Sequence, residues 1–204
     1  MKLNLGCGSQ ISEGWFNVDY GMGARFAKLP LFSFLNKKLK IFDLDWDKRI
    51  FLHDLRKTFP WDDDSVDFIY TSHTLEHFSR EDGYAFLKEC HRVLRKGAII
   101  RIVVPDLSFI VSEYVNGNIK ADCFVEKLGV LYNTYRNSLK GKLSPFVQFP
   151  HKCMYDTQTL KSTLEDIGFK AESKTAFQSK IPDIEKIELS NRTENAVIIE
   201  GEKR

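Results

Sequence analysis

The residues in this chain best suited to chemistry stand just after short apolar runs. Gly6-Cys7-Gly8 follows KLNL, Asp19 follows FNV, Asp54 follows the run that ends at His53, and Ser72-His73 follows VDFIYT. A Gly-x-Gly turn puts no side chain between backbone and ligand, so a bound molecule can approach the main chain closely. A carboxylate at the next run's end can accept hydrogen bonds from both hydroxyls of a ribose. Asp54 offers an acceptor for an adenine amino group. Each has a plainer reading: a tight turn at Gly6, a solvated turn residue at Asp19, a helix cap at Asp54. Jointly, they point to one adenosine-like ligand held at four successive segment ends.

The histidines offer competing chemistry. His73-Thr74-Leu75-Glu76-His77 has the HxxEH spacing, in which imidazoles four residues apart on a helix face hold zinc while the glutamate polarises water. The spacing identifies no third ligand, so the expectation is no metal, with His77 lining an acceptor pocket instead. Asp106, after the next apolar run, and His151, in HKCMYD, join His77 as candidates for acid–base work, because an imidazole titrates near working pH. The plainer alternatives are a surface histidine, a capping aspartate and a hydrogen-bonded structural histidine. Tyr155 can help shape the pocket or pack in the core.

Strand and helix signals must position these groups. Residues 2–5, 16–19, 48–53, 66–71 and 98–104 read as strands, rich in β-formers and closed by glycine, carboxylate or proline. Ser79 with Asp82 opens a helix whose stripe runs through Leu87, Cys90, Val93 and Leu94, and Gly97 ends it. Leu107, Ile110, Val111, Tyr114 and Val115 form one helical face; Ala121, Phe124, Val125, Leu128 and Tyr132 form a second. Asp156 caps a helix through Leu160, Leu164 and Ile167 that stops at Gly168, and strands over 169–177 and 196–200 finish the chain. This alternation predicts an α/β fold: a doubly wound, mostly parallel sheet covered on both faces, with a helical insertion over 107–150 after the fifth strand. Such sheets bind ligands beyond the carboxyl ends of their strands, where the residues above stand.

Composition narrows the function classes. At 204 residues the chain is expected to form one domain. No apolar run reaches the roughly 18 residues of a membrane span, and the opening MKLNLGCGSQ breaks into glycines before any secretory apolar region could form. Four scattered cysteines without a CxxC pair fit reduced thiols and a cytoplasmic setting. Thirty basic against 28 acidic residues leave a net charge of +2, which argues against nucleic acid as partner. Residues 25–42 mix aromatics with Arg25, Lys28, Lys37, Lys38 and Lys40, the composition of a lid, a protein contact, a peripheral membrane contact or a surface for an anionic or lipid-linked acceptor, with a solvated face over core as the plainer reading.

The motifs together resemble the class I S-adenosylmethionine-dependent methyltransferases, in particular the methyltransferase type 11-like proteins. LNLGCGSQ resembles their first motif, GWFNVDYG the ribose-binding stretch, FLHDLRKTFPWDDDSVDFIYTSHTLEHF the third and fourth motifs, and HRVLRKGAIIRIVVPD the helix and strand that follow. The resemblance covers about residues 1–106 and, more loosely, the end of the chain. It implies a seven-stranded Rossmann-like sheet whose last strand runs antiparallel, with S-adenosyl-L-methionine as cofactor. It further implies that Gly6, Cys7 and Gly8 face the methionine part and that Asp19, with Tyr20, meets the ribose. His53, Asp54 and Leu55 would border the adenine, and Ser72 and His73 would close over the sulfonium. The expected reaction is methyl transfer to a small molecule or glycan, at a hydroxyl or acidic group; a non-catalytic S-adenosylmethionine-binding regulator is the alternative. Two departures stand out: the chain opens directly on its first strand, and residues 9–15 are too few for the usual crossover helix. Both imply an open cofactor site, or one covered by another chain or by residues 21–42.

Overall fold

The computed structural model describes residues 1–29, 46–131 and 149–204. Most of the basic aromatic stretch over 25–42, and Tyr132 of the second insertion helix, lie outside the described residues.

Seven strands form one sheet: β1 (Lys2–Leu5), β2 (Phe16–Asp19), β3 (Phe51–Leu52), β4 (Val66–Ser72), β5 (Leu94–Pro105), β6 (Phe169–Ser173) and β7 (Ala196–Lys203). Their order is β3-β2-β1-β4-β5-β7-β6, and only β7 runs antiparallel to its neighbours. Strand order reverses between β1 and β4, with β2 on one side and β5 on the other. That reversal opens a crevice at the strands' carboxyl ends.

Side chains alternate between the two faces. Leu3, Leu5, Val18, Ile69, Ile100 and Ile102 pack under α2 (Arg80–Val93) and α5 (Thr157–Ile167), through Phe86, Leu87, Cys90, Leu160 and Leu164. Ser79 and Asp156 cap those helices by accepting from the amides of Asp82 and Thr159. The opposite face carries Tyr70, Ile99 and Val103 beneath Trp15, Ile181, Ile184 and Ile187. No helix forms over residues 9–15. Asn17 organises that loop instead: its Oδ1 accepts from Asn4 Nδ2 and the Ser12 amide, and its Nδ2 donates to the Ser12 and Trp15 carbonyls.

Several boundaries differ from expectation. The third strand shrinks from 48–53 to two residues, because Ile50 N donates to the Asp47 carbonyl and turns the chain. The helix expected to end at Gly97 ends at Val93, and the following strand starts at Leu94 rather than 98. Gly97 is left-handed (φ +79°), but it turns an irregularity at which the β4 register jumps from Leu94 to Ile99. The sixth strand stops at Ser173, short of Phe177, which itself takes a left-handed φ of +61°. The last strand runs on to Lys203. In the insertion, α3 (Leu107–Val115) and α4 (Ala121–Lys127) form as the periodicity requires. The apolar face of α3 buries only Ile110, and Val111, Tyr114 and Val115 are exposed.

The near-continuous apolar run of β5 conceals a buried cation. Arg101 is fully buried and uses all five N–H donors: two to Glu188, one to Glu200, and one each to the Thr175 and Gln178 carbonyls. It thereby anchors the irregular segment after β6 against the sheet. Arg101→Ala leaves two buried carboxylates without their cation, and urea denaturation is expected to show a loss of about 3–5 kcal/mol. Arg101→Lys should restore little of it, because an ammonium cannot reproduce the planar fork.

Candidate functional site

The crevice is built on the turn after β1. Gly6 and Gly8 are both left-handed (φ +73° and +62°), a conformation that favours glycine. A Cβ on Gly6 would fall 2.0 Å from Thr74 Oγ1, so the turn is pressed against the chain leaving β4. At Gly8 a Cβ would meet nothing within 4 Å, and the backbone there is open to an incoming group. A cleft beside the turn is lined by Gly6, Cys7, Gln10, Ser72, Leu189 and Arg192.

Asp19 holds the turn in place. Its Oδ2 accepts from the Gly8 amide at 2.8 Å and its Oδ1 from the Gly21 amide at 2.6 Å. Each oxygen keeps a second lone pair for a further donor. Tyr20 next to it is exposed, with the Arg25 guanidinium 5.1 Å from its ring centre. Cys7 is buried, and desolvation together with the nearby Asp19 charge pushes its thiol up to about 12.

The expected adenine-side residues divide. Asp54 is bridged in bidentate fashion by Arg56, at 2.7 and 2.9 Å, and this hydrogen-bonded cation lowers its pKa. Leu55 turns its side chain into the core, and His53 sends its ring among Phe51, Phe59 and Trp61. Any contact from Leu55 or His53 to a ligand in the crevice therefore falls to their backbones, because both side chains are engaged in apolar and aromatic packing. Ser72 is buried in the cleft wall with its hydroxyl unpartnered.

Beyond β4 the chain makes a single 3₁₀ turn, Leu75–His77, preceded by His73 in a left-handed conformation (φ +51°). His73 Nε2 donates to the Arg192 carbonyl at 2.9 Å, and its Nδ1 lies 3.4 Å from Glu76 Oε1. Glu76 is 1% exposed, and neither of its carboxylate oxygens has a hydrogen-bond partner. His151 arrives from the far end of the insertion. Its ring centre lies 5.1 Å from that of His77, and its Nε2 lies 3.9 Å from Glu76 Oε1. The amides of Lys152 and Cys153 donate to the Glu76 carbonyl and tie this segment to the turn. Burial pulls the His77 imidazole below its ordinary pKa, against the opposing pull of Glu76.

Two of the three acid–base candidates, His77 and His151, thus come together. Asp106 caps α3, its Oδ1 accepting from the Ser108 amide at 2.8 Å. Tyr155 is buried in the main core cluster. Sequence reasoning missed the burial of Glu76 and the role of Gly129. A Cβ at Gly129 would lie 2.6 Å from the His151 ring, so a glycine there admits the imidazole. The sequence signal for it was a glycine directly after Leu128 in the helical pattern, and in the structure that glycine takes a left-handed φ of +67°.

Residues 3–102 match the family model of a methyltransferase domain. Those residues of the chain form a class I S-adenosylmethionine-dependent methyltransferase domain. No curated protein matches it in sequence. Among solved structures, the methyltransferase fold is shared with the YcgJ protein of Bacillus subtilis, at 14% identity and TM-score 0.53, over 100% of this chain and 91% of that one. A SAM-dependent methyltransferase from Methanosarcina mazei is similar at 16% identity and TM-score 0.53, covering 99% and 91% of the two chains. One from Archaeoglobus fulgidus is similar at 14% identity and TM-score 0.52, covering 99% and 85%. The enzyme therefore uses S-adenosyl-L-methionine. Among the described residues no helix is long and apolar enough to cross a membrane.

The state of Cys7 gives a direct check on this methyltransferase. With its pKa near 12, the Cys7 thiol stays protonated at pH 8, whereas Cys123 is exposed. Iodoacetamide at pH 8 followed by peptide mass mapping should modify Cys123 and leave Cys7 intact.

Proposed function

We propose that this methyltransferase acts on a hydroxyl or acidic group of a small molecule or glycan, in a pocket shared between the crevice and the 107–150 insertion. The observation that carries the cofactor assignment is the Asp19–Gly8 contact beside an open backbone turn. The free lone pairs of Asp19 suit the two ribose hydroxyls. The Gly6–Gly8 turn and the unpartnered Ser72 hydroxyl suit the methionine end. Tyr20, His73, Asp54 and the backbones of His53 and Leu55 complete the cofactor's surroundings in this reading.

The sulfonium makes the methyl carbon electrophilic, so the protein's task is alignment and exclusion of water. Nucleophile, methyl carbon and sulfur must lie in line, with reacting atoms held about 3–3.5 Å apart. The acceptor oxygen attacks the methyl carbon, the carbon–sulfur bond breaks, and its electron pair returns to sulfur, leaving S-adenosylhomocysteine. A hydroxyl acceptor must shed its proton, and His77 and His151 are the groups that assist; a carboxylate or phosphate acceptor needs no base. Asp106 stands as the third candidate, with its capping bond the stronger claim on it. Four free cysteines support a cytoplasmic setting.

Asp19→Ala removes two charge-assisted contacts to the ribose and should weaken S-adenosylhomocysteine binding by about 100-fold in calorimetry. Binding as tight as in the unmodified enzyme would remove Asp19 from the cofactor site. Release of S-adenosylhomocysteine on mixing the loaded enzyme with hydroxylated, acidic and amine acceptors should occur with one of the first two classes.

A further inference from the structure

Hydrogen bonding fixes the tautomers around Glu76 in an unusual way. A carbonyl can only accept, so the 2.8 Å contact between His151 Nδ1 and the Leu128 carbonyl puts the proton on Nδ1. The lone pair of the neutral ring then sits on Nε2, 3.9 Å from Glu76 Oε1. His73 repeats the pattern: Nε2–H is held by the Arg192 carbonyl, which leaves Nδ1 facing the same carboxylate oxygen at 3.4 Å. His77 Nδ1 is buried nearby without a partner. Basic atoms thus converge on a carboxylate that is 1% exposed and accepts no hydrogen bond. Such an arrangement calls for a cation between them.

The geometry fits a metal ion. The ligand atoms of Glu76, His77 and His151 all lie within 4.8 Å of one another, so small rotations let one ion contact all three at roughly 2.0–2.2 Å. The bond from His151 Nδ1–H to a backbone carbonyl is the outer-shell contact that metal-bound histidines use to fix ring orientation. Gly129 keeps that ring's approach clear, and the Lys152 and Cys153 amides fasten the segment to Glu76. The sequence pattern alone supplies Glu76 and His77; only folding delivers His151 as third ligand.

We propose that Glu76, His77 and His151 form a binding site for a divalent transition-metal ion beside the transferring methyl group, with His73 at its edge. Two imidazoles and one carboxylate favour zinc or manganese over magnesium or calcium. The remaining coordination positions accept the acceptor's hydroxyl oxygen. Metal binding acidifies that hydroxyl, its proton leaves to solvent, and the oxygen forms its bond to the methyl carbon as the carbon–sulfur bond breaks toward sulfur. This role rests on the methyltransferase reading given above, and it has His77 and His151 assist the acceptor's loss of its proton through the ion they hold.

The test uses the full-length protein, freed of metal with a chelator and titrated calorimetrically with zinc, manganese and magnesium chlorides. One equivalent of zinc or manganese should bind at least about 100-fold more tightly than magnesium. Cobalt(II) added to the same protein should give visible d–d absorption. Both signals should weaken by about 100-fold or be lost in His151→Gln, and likewise in Glu76→Gln. His151 lies at the edge of the cluster, so its variant carries the test if Glu76→Gln fails to fold, as judged by circular dichroism. Absence of one-equivalent uptake, or uptake undiminished in folded His151→Gln, overturns the site. S-adenosylhomocysteine binding to the metal-free protein, measured in parallel, tests the methyltransferase reading separately.

Discussion

The Asp19 carboxylate lies between two backbone amides, Gly8 on one loop and Gly21 on another, and accepts from both. This pairing draws the turn after β1 and the chain leaving β2 to one point at the carboxyl edge of the sheet. The turn can reach that point only because Gly6 and Gly8 adopt left-handed backbone angles and Gly6 admits Thr74. A larger residue at position 6 would push the turn off the chain leaving β4 and out of the cleft. The same carboxylate then serves two purposes, holding the loops and presenting lone pairs outward. Its charge also contributes to keeping the Cys7 thiol protonated, so the one nucleophilic side chain in the turn is inert.

The opposite face shows how a missing helix is replaced. Residues 9–15 form a short loop in which Asn17 satisfies four polar groups and Trp15 fills the space above Tyr70. Farther along the sheet, Arg101 ties down the irregular segment between β6 and β7 through both carboxylates and carbonyls. Polar networks of this kind hold non-repetitive backbone in place because buried donors, such as those of Arg101, find acceptors on it. Their consequence for function is local: the segment they anchor carries Leu189 and Arg192, which line the cleft, and Arg192 also fixes the His73 ring through its carbonyl.

The chemistry-bearing turn after β4 is the inverse case. Glu76 is desolvated without hydrogen bonds, and His73, His77 and His151 surround it from three directions. Among the described residues Glu76 is the only carboxylate with both oxygens buried and unpartnered, which sets this cluster apart from the rest of the interior.

Local chemistry made much of this legible in the sequence. The alternation of strand and helix, the capping residues Ser79 and Asp156, and the placement of Gly6, Asp19 and Ser72 at strand ends follow from short-range preferences and periodicity. Gly97 was misleading because a left-handed glycine closes a helix and turns a strand irregularity with equal ease. Arg101 was passed over because its neighbours are apolar and its partners, Glu188 and Glu200, lie far along the chain. His53 and Leu55 follow the third strand as expected, yet their side chains pack into aromatic and core clusters, which depends on partners beyond the strand such as Phe59 and Trp61. The sequence by itself determined the fold class and which residues close the strands, since both depend on patterns a few residues wide. Only the tertiary structure decided that His151 meets Glu76 and His77, because that contact depends on how the chain returns from the insertion, and no local spacing encodes it.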